Sequence, residues 1–125
     1  MSFKLTILGS GSSAGTPVVG CLCKTCRSTN PKNNRTRCSS LITLDDGKNI
    51  LIDTSPDLRQ QSLREGIRVV DAVLFTHIHA DHCHGIDDLR AFCQINKKQI
   101  PIYGNEEVIE QLKIKFNYAI FSIYN

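Results

Sequence analysis

The segment VVDAVLFTHIHADHCHGIDDLRAF (69–92) decides the fold, because it passes from an apolar run into a histidine-rich turn and then into a helical repeat. VVDAVLFT (69–76) is continuous and apolar, the pattern of a strand covered on both faces. FTHIHADHCHG (75–85) follows at once and holds His77, His79, His82 and His84, which are all the histidines of the chain. Side chains at i and i+2 of an extended backbone project to the same side, so His77 and His79 can chelate one ion. Asp81 and His82 fall at the start of the next helix, where they can face a second ion. Imidazole and carboxylate suit zinc, and iron or manganese as well. His84 lies beyond that quartet and fits a loop position, a substrate contact or a ligand. IDDLRAFCQI (86–95) then sets Ile86, Leu89 and Phe92 or Cys93 at helical spacing.

The flanking segments supply the rest of a layered fold. FKLTIL (3–8) alternates and predicts a strand, followed by the glycine- and serine-rich turn region GSGSSAGTPVVG (9–20). Gly9, Gly11 and Gly15 do not fit a dinucleotide fingerprint and no Gly-Lys-Ser/Thr follows, so this loop is expected to border the metal site rather than cradle a nucleotide. SSLITLDDGKNILIDT (39–54) predicts a hairpin with strands near 40–45 and 49–53 turning through DDGK. SPDLRQQSLREG (55–66) predicts a helix with Ser55 as N-cap, Pro56 at the first helical position and Gly66 as stop. QIPIYG (99–104) is a short strand. NEEVIEQLKIKF (105–116) is a helix capped by Asn105, with Val108, Ile109, Leu112 and Phe116 on one face. The tail NYAIFSIYN (117–125) is apolar and β-prone. The order β, β-hairpin, α, β, α, β, α is that of an α/β fold.

A chain of 125 residues supports one small domain, and 41% hydrophobic with 22% charged residues is ordinary globular composition. The net charge of +3 is mild and the basic residues are scattered, which speaks against nucleic acid as partner. The densest basic run, KNNRTR (32–37), suits a solvated loop or a local anion contact. No apolar run is long enough to span a bilayer or to form a signal peptide, so the expected setting is the cytoplasm, where thiols stay reduced. The six cysteines are then thiols or metal ligands, although the even count also allows disulfides. Cys21, Cys23 and Cys26 in GCLCKTC are spaced as part of a zinc knot.

THIHADH (76–82) resembles the HxHxDH signature of the metallo-β-lactamase superfamily residue for residue. The resemblance implies two catalytic zinc ions, one on His77 and His79 and the other on Asp81 and His82. It also matches Asp53, in LIDTSPD, to the family's aspartate that buttresses the ligand loop. Within the superfamily, the glycine loop, the cysteine triplet, NNRTRCSSLI, HGIDDLRAF and IPIYG resemble the PhnP-like phosphodiesterases, which hydrolyse phosphoribosyl cyclic phosphate and related phosphodiesters. That implies a cysteine-containing insertion over 20–38 in which Cys21, Cys23 and Cys26 hold a structural zinc, completed in the family by a distant histidine. Cys38 is the nearest stand-in for it, and Cys83 and Cys93 are expected in the core or loops.

The resemblance covers the first half of the family's fold, an αββα sandwich. The expectation is therefore a single, truncated domain over 1–125, a mixed sheet with helices packed on one face. The family's second half supplies further histidines and a bridging aspartate, and this chain has no histidine after His84. A homodimer or a second-half chain is then the expected partner, with a small phosphodiester as substrate. The implied reaction is metal-assisted hydrolysis, in which Asp81 binds metal and accepts a proton. A tRNA 3′-end-processing ribonuclease and an inactive metal-binding remnant are the alternatives.

Overall fold

The computed structural model describes residues 2–120, which form a five-stranded mixed sheet with its helices on one face. In chain order the strands are β1 (Phe3–Gly9), β2 (Ser39–Leu44), β3 (Asn49–Ile52), β4 (Ala72–Leu74) and β5 (Ile102–Tyr103). The helices are α1 (Leu58–Glu65), α2 (Ala80–Cys83), α3 (Leu89–Asn96), α4 (Glu106–Lys115) and α5 (Asn117–Ile120), with short 3-10 turns at Pro31–Asn33 and Ile86–Asp88. The strands lie side by side in sequence order. Pairing is antiparallel from β1 to β3 and parallel from β3 to β5. The first part needs only tight turns, and Gly47, at φ 87, closes the β2–β3 hairpin. The parallel part needs crossovers, which α1 and the α2–α3 segment provide.

Register decides which side chains meet the helices. Leu41, Leu51, Val73 and Ile102 form one cross-strand row on the inner face. Leu51 and Val73 are fully buried there, with Leu58, Leu89, Phe92, Val108, Leu112 and Phe116 from the helices. The next row, Ile7, Ser40, Ile52, Leu74 and Tyr103, points the opposite way, as does Leu5 with Ile42 and Ile50. This outer face is apolar and open: Phe3, Leu5, Ile7 and Tyr103 are each more than half exposed.

The outer face corrects one expectation. The run at 69–76 is not a strand covered on both sides, since β4 has three residues and Leu74 is 39% exposed. Helices stack on a single face, and no layer among the described residues covers the other. The further corrections are local. α1 starts at Leu58 with Asp57 at its N-cap, because Asp57 is drawn to Arg37 and Ser55 serves a turn before the helix. Of the tail expected to be β-prone, residues 117–120 are helical, following α4 after a turn at Phe116, and 121–125 lie outside the described residues. The strand expected at 99–104 keeps only Ile102–Tyr103, and the helix expected at 86–95 opens with a 3-10 turn, while the helix-end signals at Gly66 and Asn105 hold. Gly66 ends α1 in the left-handed region, and the Asn105 side-chain Oδ1 accepts Val108 N–H at 2.8 Å.

A buried polar network ties the loops beneath β3 to the sheet. Gln61 is fully buried; it accepts the Ser55 hydroxyl at 2.9 Å and donates to Thr36 Oγ1 at 3.0 Å and to the Arg37 carbonyl at 2.8 Å. Burial works to raise the Asp57 carboxyl, but hydrogen bonds from the Arg37 guanidinium and backbone N–H outweigh it and hold Asp57 below the usual carboxylate range. Thr54 N–H donates to His82 O at 2.9 Å and Gly85 N–H donates to Thr54 O at 3.0 Å, which staples α2 to the end of β3. At Gly85 a Cβ would overlap the Ser55 carbonyl, so the close approach requires glycine.

Gly85→Ala should therefore destabilise the fold by more than Gly47→Ala, whose added Cβ meets open space and whose cost is the strain of its positive φ alone. The expected cost is about 1–3 kcal/mol for the overpacking, read from urea unfolding of both variants. Asp57, being depressed, stabilises the fold fully above its unfolded value near pH ~3.9, and that stabilisation is lost as pH falls through its lower folded value. The stability gap between wild type and Asp57→Asn should thus be constant near neutrality and close below pH ~4.

Candidate metal centre

Asp53 is the first residue past β3 and adopts φ 62, the left-handed region, which aspartate tolerates better than most residues. This turn brings its buried carboxylate under the start of the histidine segment. Oδ1 accepts Thr76 N–H at 2.8 Å. Oδ2 accepts the Thr76 hydroxyl at 2.7 Å and lies 2.7 Å from His82 Nδ1. An ionised carboxylate only accepts, so His82 carries its proton on Nδ1 and directs the Nε2 lone pair outward. Nε2 sits 3.1 Å from Asp81 Oδ2. Two acceptors this close require a shared cation or proton between them. That is a direct chemical reason to regard the pair as fit for a metal ion.

α2 sets the remaining donors. His79 precedes it in extended conformation, and Asp81 and His82 occupy its single turn. One ligand atom each from His77, Asp81 and His82 lie within 4.8 Å of one another. The His77 and His82 ring centroids are 4.0 Å apart. His79 stands outside that group, edge-on to His77 at 4.8 Å between centroids. The sequence pairs His77 with His79 by spacing; the fold keeps those two rings in contact and also sets His77 beside Asp81 and His82. Three half-buried nitrogen and oxygen donors suit zinc, and the same donor types also suit manganese or iron. His84 follows α2, is exposed, and packs its ring edge against Phe116.

The cysteine segment makes a second cluster. Cys21, Cys23 and Cys26 bring their sulfurs within 4.8 Å of one another. Val18 N–H points at Cys26 Sγ and Cys26 N–H at Cys23 Sγ, each at 3.4 Å. The Cys26 N–H, helped by the Cys21 thiol, lowers Cys23 to about 7. The Val18 N–H pulls Cys26 down, but the Cys21 and Cys23 thiols outweigh it and leave Cys26 raised. Cys38, the suggested stand-in for a fourth ligand, is not brought to this group, because it is held at the start of β2. Cys83 and Cys93 are buried thiols pushed up by burial, as core positions require. The basic run at 32–37 is spent on structure: Arg35 donates to Ser10 and to the Lys32 carbonyl, and Arg37 holds Asp57.

Sequence reasoning missed Thr76 and Gln61. Thr76 had one available signal, its place between a strand end and the first histidine. Gln61 had none, since two of its three partners, Thr36 and Arg37, lie 25 and 24 residues earlier in the chain.

Residues 48–123, more than half of the chain, match a family described as "Beta-lactamase superfamily domain". A diphosphatase from the PhnP family is similar in structure, with a TM-score of 0.88 and 46% identity over 94% of this chain and 47% of that one. Zinc-bound PqqB from Methylobacterium extorquens superposes with a TM-score of 0.74 at 26% identity, over 90% of this chain and 40% of that one. An octanoyltransferase of Porphyromonas gingivalis is 48% identical over 116 residues, which are 93% of this chain and 23% of that protein. The chain thus spans half or less of the length of each.

Asp53→Asn removes the charge that fixes His82 while keeping the side chain's volume. Its affinity for cobalt(II) at the nitrogen–oxygen site should fall about 10–100-fold. Competition with a chelator measures this, the thiolate site being told apart by its sulfur charge-transfer absorption.

Proposed function

The chain belongs to the beta-lactamase superfamily and carries the metallo-β-lactamase fold, and from that premise we propose that it is the ligand-bearing first half of a zinc-dependent phosphodiesterase. The observation that carries the reading is the Asp53–His82–Asp81 arrangement, with His77 beside it, which makes two lone pairs converge where a cation satisfies both.

In this reading His77, Asp81 and His82 hold zinc, with His79 turning its ring in as a further ligand of the pair. Zinc there supplies Lewis-acid polarisation of a phosphoryl oxygen and acidifies water. Asp81 keeps one carboxylate oxygen for binding and accepts a proton on the other. Asp53 holds the proton on His82 Nδ1, so that Nε2 stays a donor. Manganese or iron would be accepted by the same atoms. Cys21, Cys23 and Cys26 hold a separate structural zinc. His84, exposed beside Phe116, lies at hand for substrate. The substrate in this reading is a cyclic phosphate or a related phosphodiester; the likeness to a PhnP-family diphosphatase supports hydrolysis at phosphorus, the broader class. Six free thiols fit a cytoplasmic setting, and no helix among the described residues is long and apolar enough to cross a membrane.

A second reading has its own observation. The apolar outer face of the sheet is open, and the chain spans 47% of the diphosphatase. A partner bearing a second sheet, either another copy or a complementary chain, would cover that face and complete the ligand set. Without it the chain is a metal-binding subunit rather than a catalyst.

The two readings separate in one experiment. Zinc-loaded protein is assayed against phosphoribosyl cyclic phosphate and a simple diphosphate, and its mass is measured in solution. Turnover that His79→Ala abolishes supports the phosphodiesterase. Stoichiometric zinc without turnover on either compound supports the subunit reading.

A further inference from the structure

We infer that Thr76 is a positioning residue that sets the proton of His77, and that through it the single carboxylate of Asp53 fixes both histidines of the cluster. Thr76 Oγ1 has two polar neighbours, Asp53 Oδ2 at 2.7 Å and His77 Nδ1 at 3.0 Å. A hydroxyl has one proton. Were it given to His77, the hydroxyl oxygen and the carboxylate would face each other as bare acceptors at 2.7 Å. The proton therefore goes to Asp53, and Oγ1 is left with lone pairs toward the imidazole. His77 must then be the donor, with its proton on Nδ1 and its lone pair on Nε2. This is the less populated tautomer of a histidine in water, so the arrangement needs the Thr76 oxygen to hold it.

The result is a chain of three donors ending on one buried anion: His77 Nδ1 to Thr76 Oγ1, Thr76 Oγ1 to Asp53 Oδ2, and His82 Nδ1 to the same Oδ2. The Thr76 backbone N–H on Oδ1 locks the register of the strand end against the carboxylate. Both rings, with centroids 4.0 Å apart, then present Nε2 as the ligand atom. A serine keeps the hydroxyl, and a valine keeps the shape and loses both hydrogen bonds.

Nitrogen-15 NMR of the metal-free protein at pH ~8.5, above the ordinary histidine value, tests the assignment. Wild type and Thr76→Ser should carry the His77 proton on Nδ1. Thr76→Val should move it toward Nε2, while His82 keeps its own on Nδ1. A second arm rests on the metal-centre reading: zinc affinity of Thr76→Val should fall about 10-fold or more, and Thr76→Ser should restore it. Wild-type His77 protonated on Nε2 would overturn the inference, and so would Thr76→Val with an unchanged His77 tautomer. If Thr76→Val does not fold, the wild-type and Thr76→Ser spectra decide the matter. An Nδ1 proton in a protein that binds no zinc would sink the metal reading and leave the role of Thr76 standing.

Discussion

The buried carboxylate of Asp53 is the contact on which the site depends. It is placed by an unusual backbone turn at the end of β3, and its oxygens accept three hydrogen bonds from the next strand's end and from α2. A buried anion without such partners would be costly. Here the donors that satisfy it belong to His82 of the candidate metal centre and to Thr76 beside His77. Stabilising the carboxylate and orienting the histidines are therefore one interaction, and the fold cannot relax one without disturbing the other.

The rest of the inner layer serves that contact. Gln61, wholly buried, joins Ser55 to Thr36 and Arg37, and so fixes the loop that starts at Asp53. Gly85 lets α2 approach the Ser55 carbonyl closely enough for Thr54 and His82 to bond across the gap. Arg37 and Asp57 close the same loop from outside. The cysteine cluster stands apart, in an irregular exposed segment, and its sulfurs are organised by local N–H groups rather than by the sheet.

The outer face of the sheet shows the opposite condition. Phe3, Leu5, Ile7, Leu74 and Tyr103 occupy the rows that alternate with the core. A period of two places them there whether or not a layer covers them. An open apolar surface of this kind favours association, which is why the catalytic and subunit readings turn on what lies against it.

Much of this was legible in the sequence. Alternation in FKLTIL, the DDGK turn, Gly66 and Asn105 located strands and helix ends, because each signal acts within a few residues. HIHADH marked the site, since histidine and aspartate at that spacing have few other uses. Spacing could not say that His77, beside His79, would also lie with Asp81 and His82, because that depends on where α2 folds back. Nor could it show that VVDAVLFT is covered on one side, since an apolar run looks the same against a helix layer or open to solvent. The sequence by itself determined which residues could serve as ligands and where the elements lie. Tertiary structure decided which ligands meet and which ring nitrogen of His82 faces a carboxylate, because both depend on Asp53, 23 residues from Thr76 and 29 from His82 in the chain.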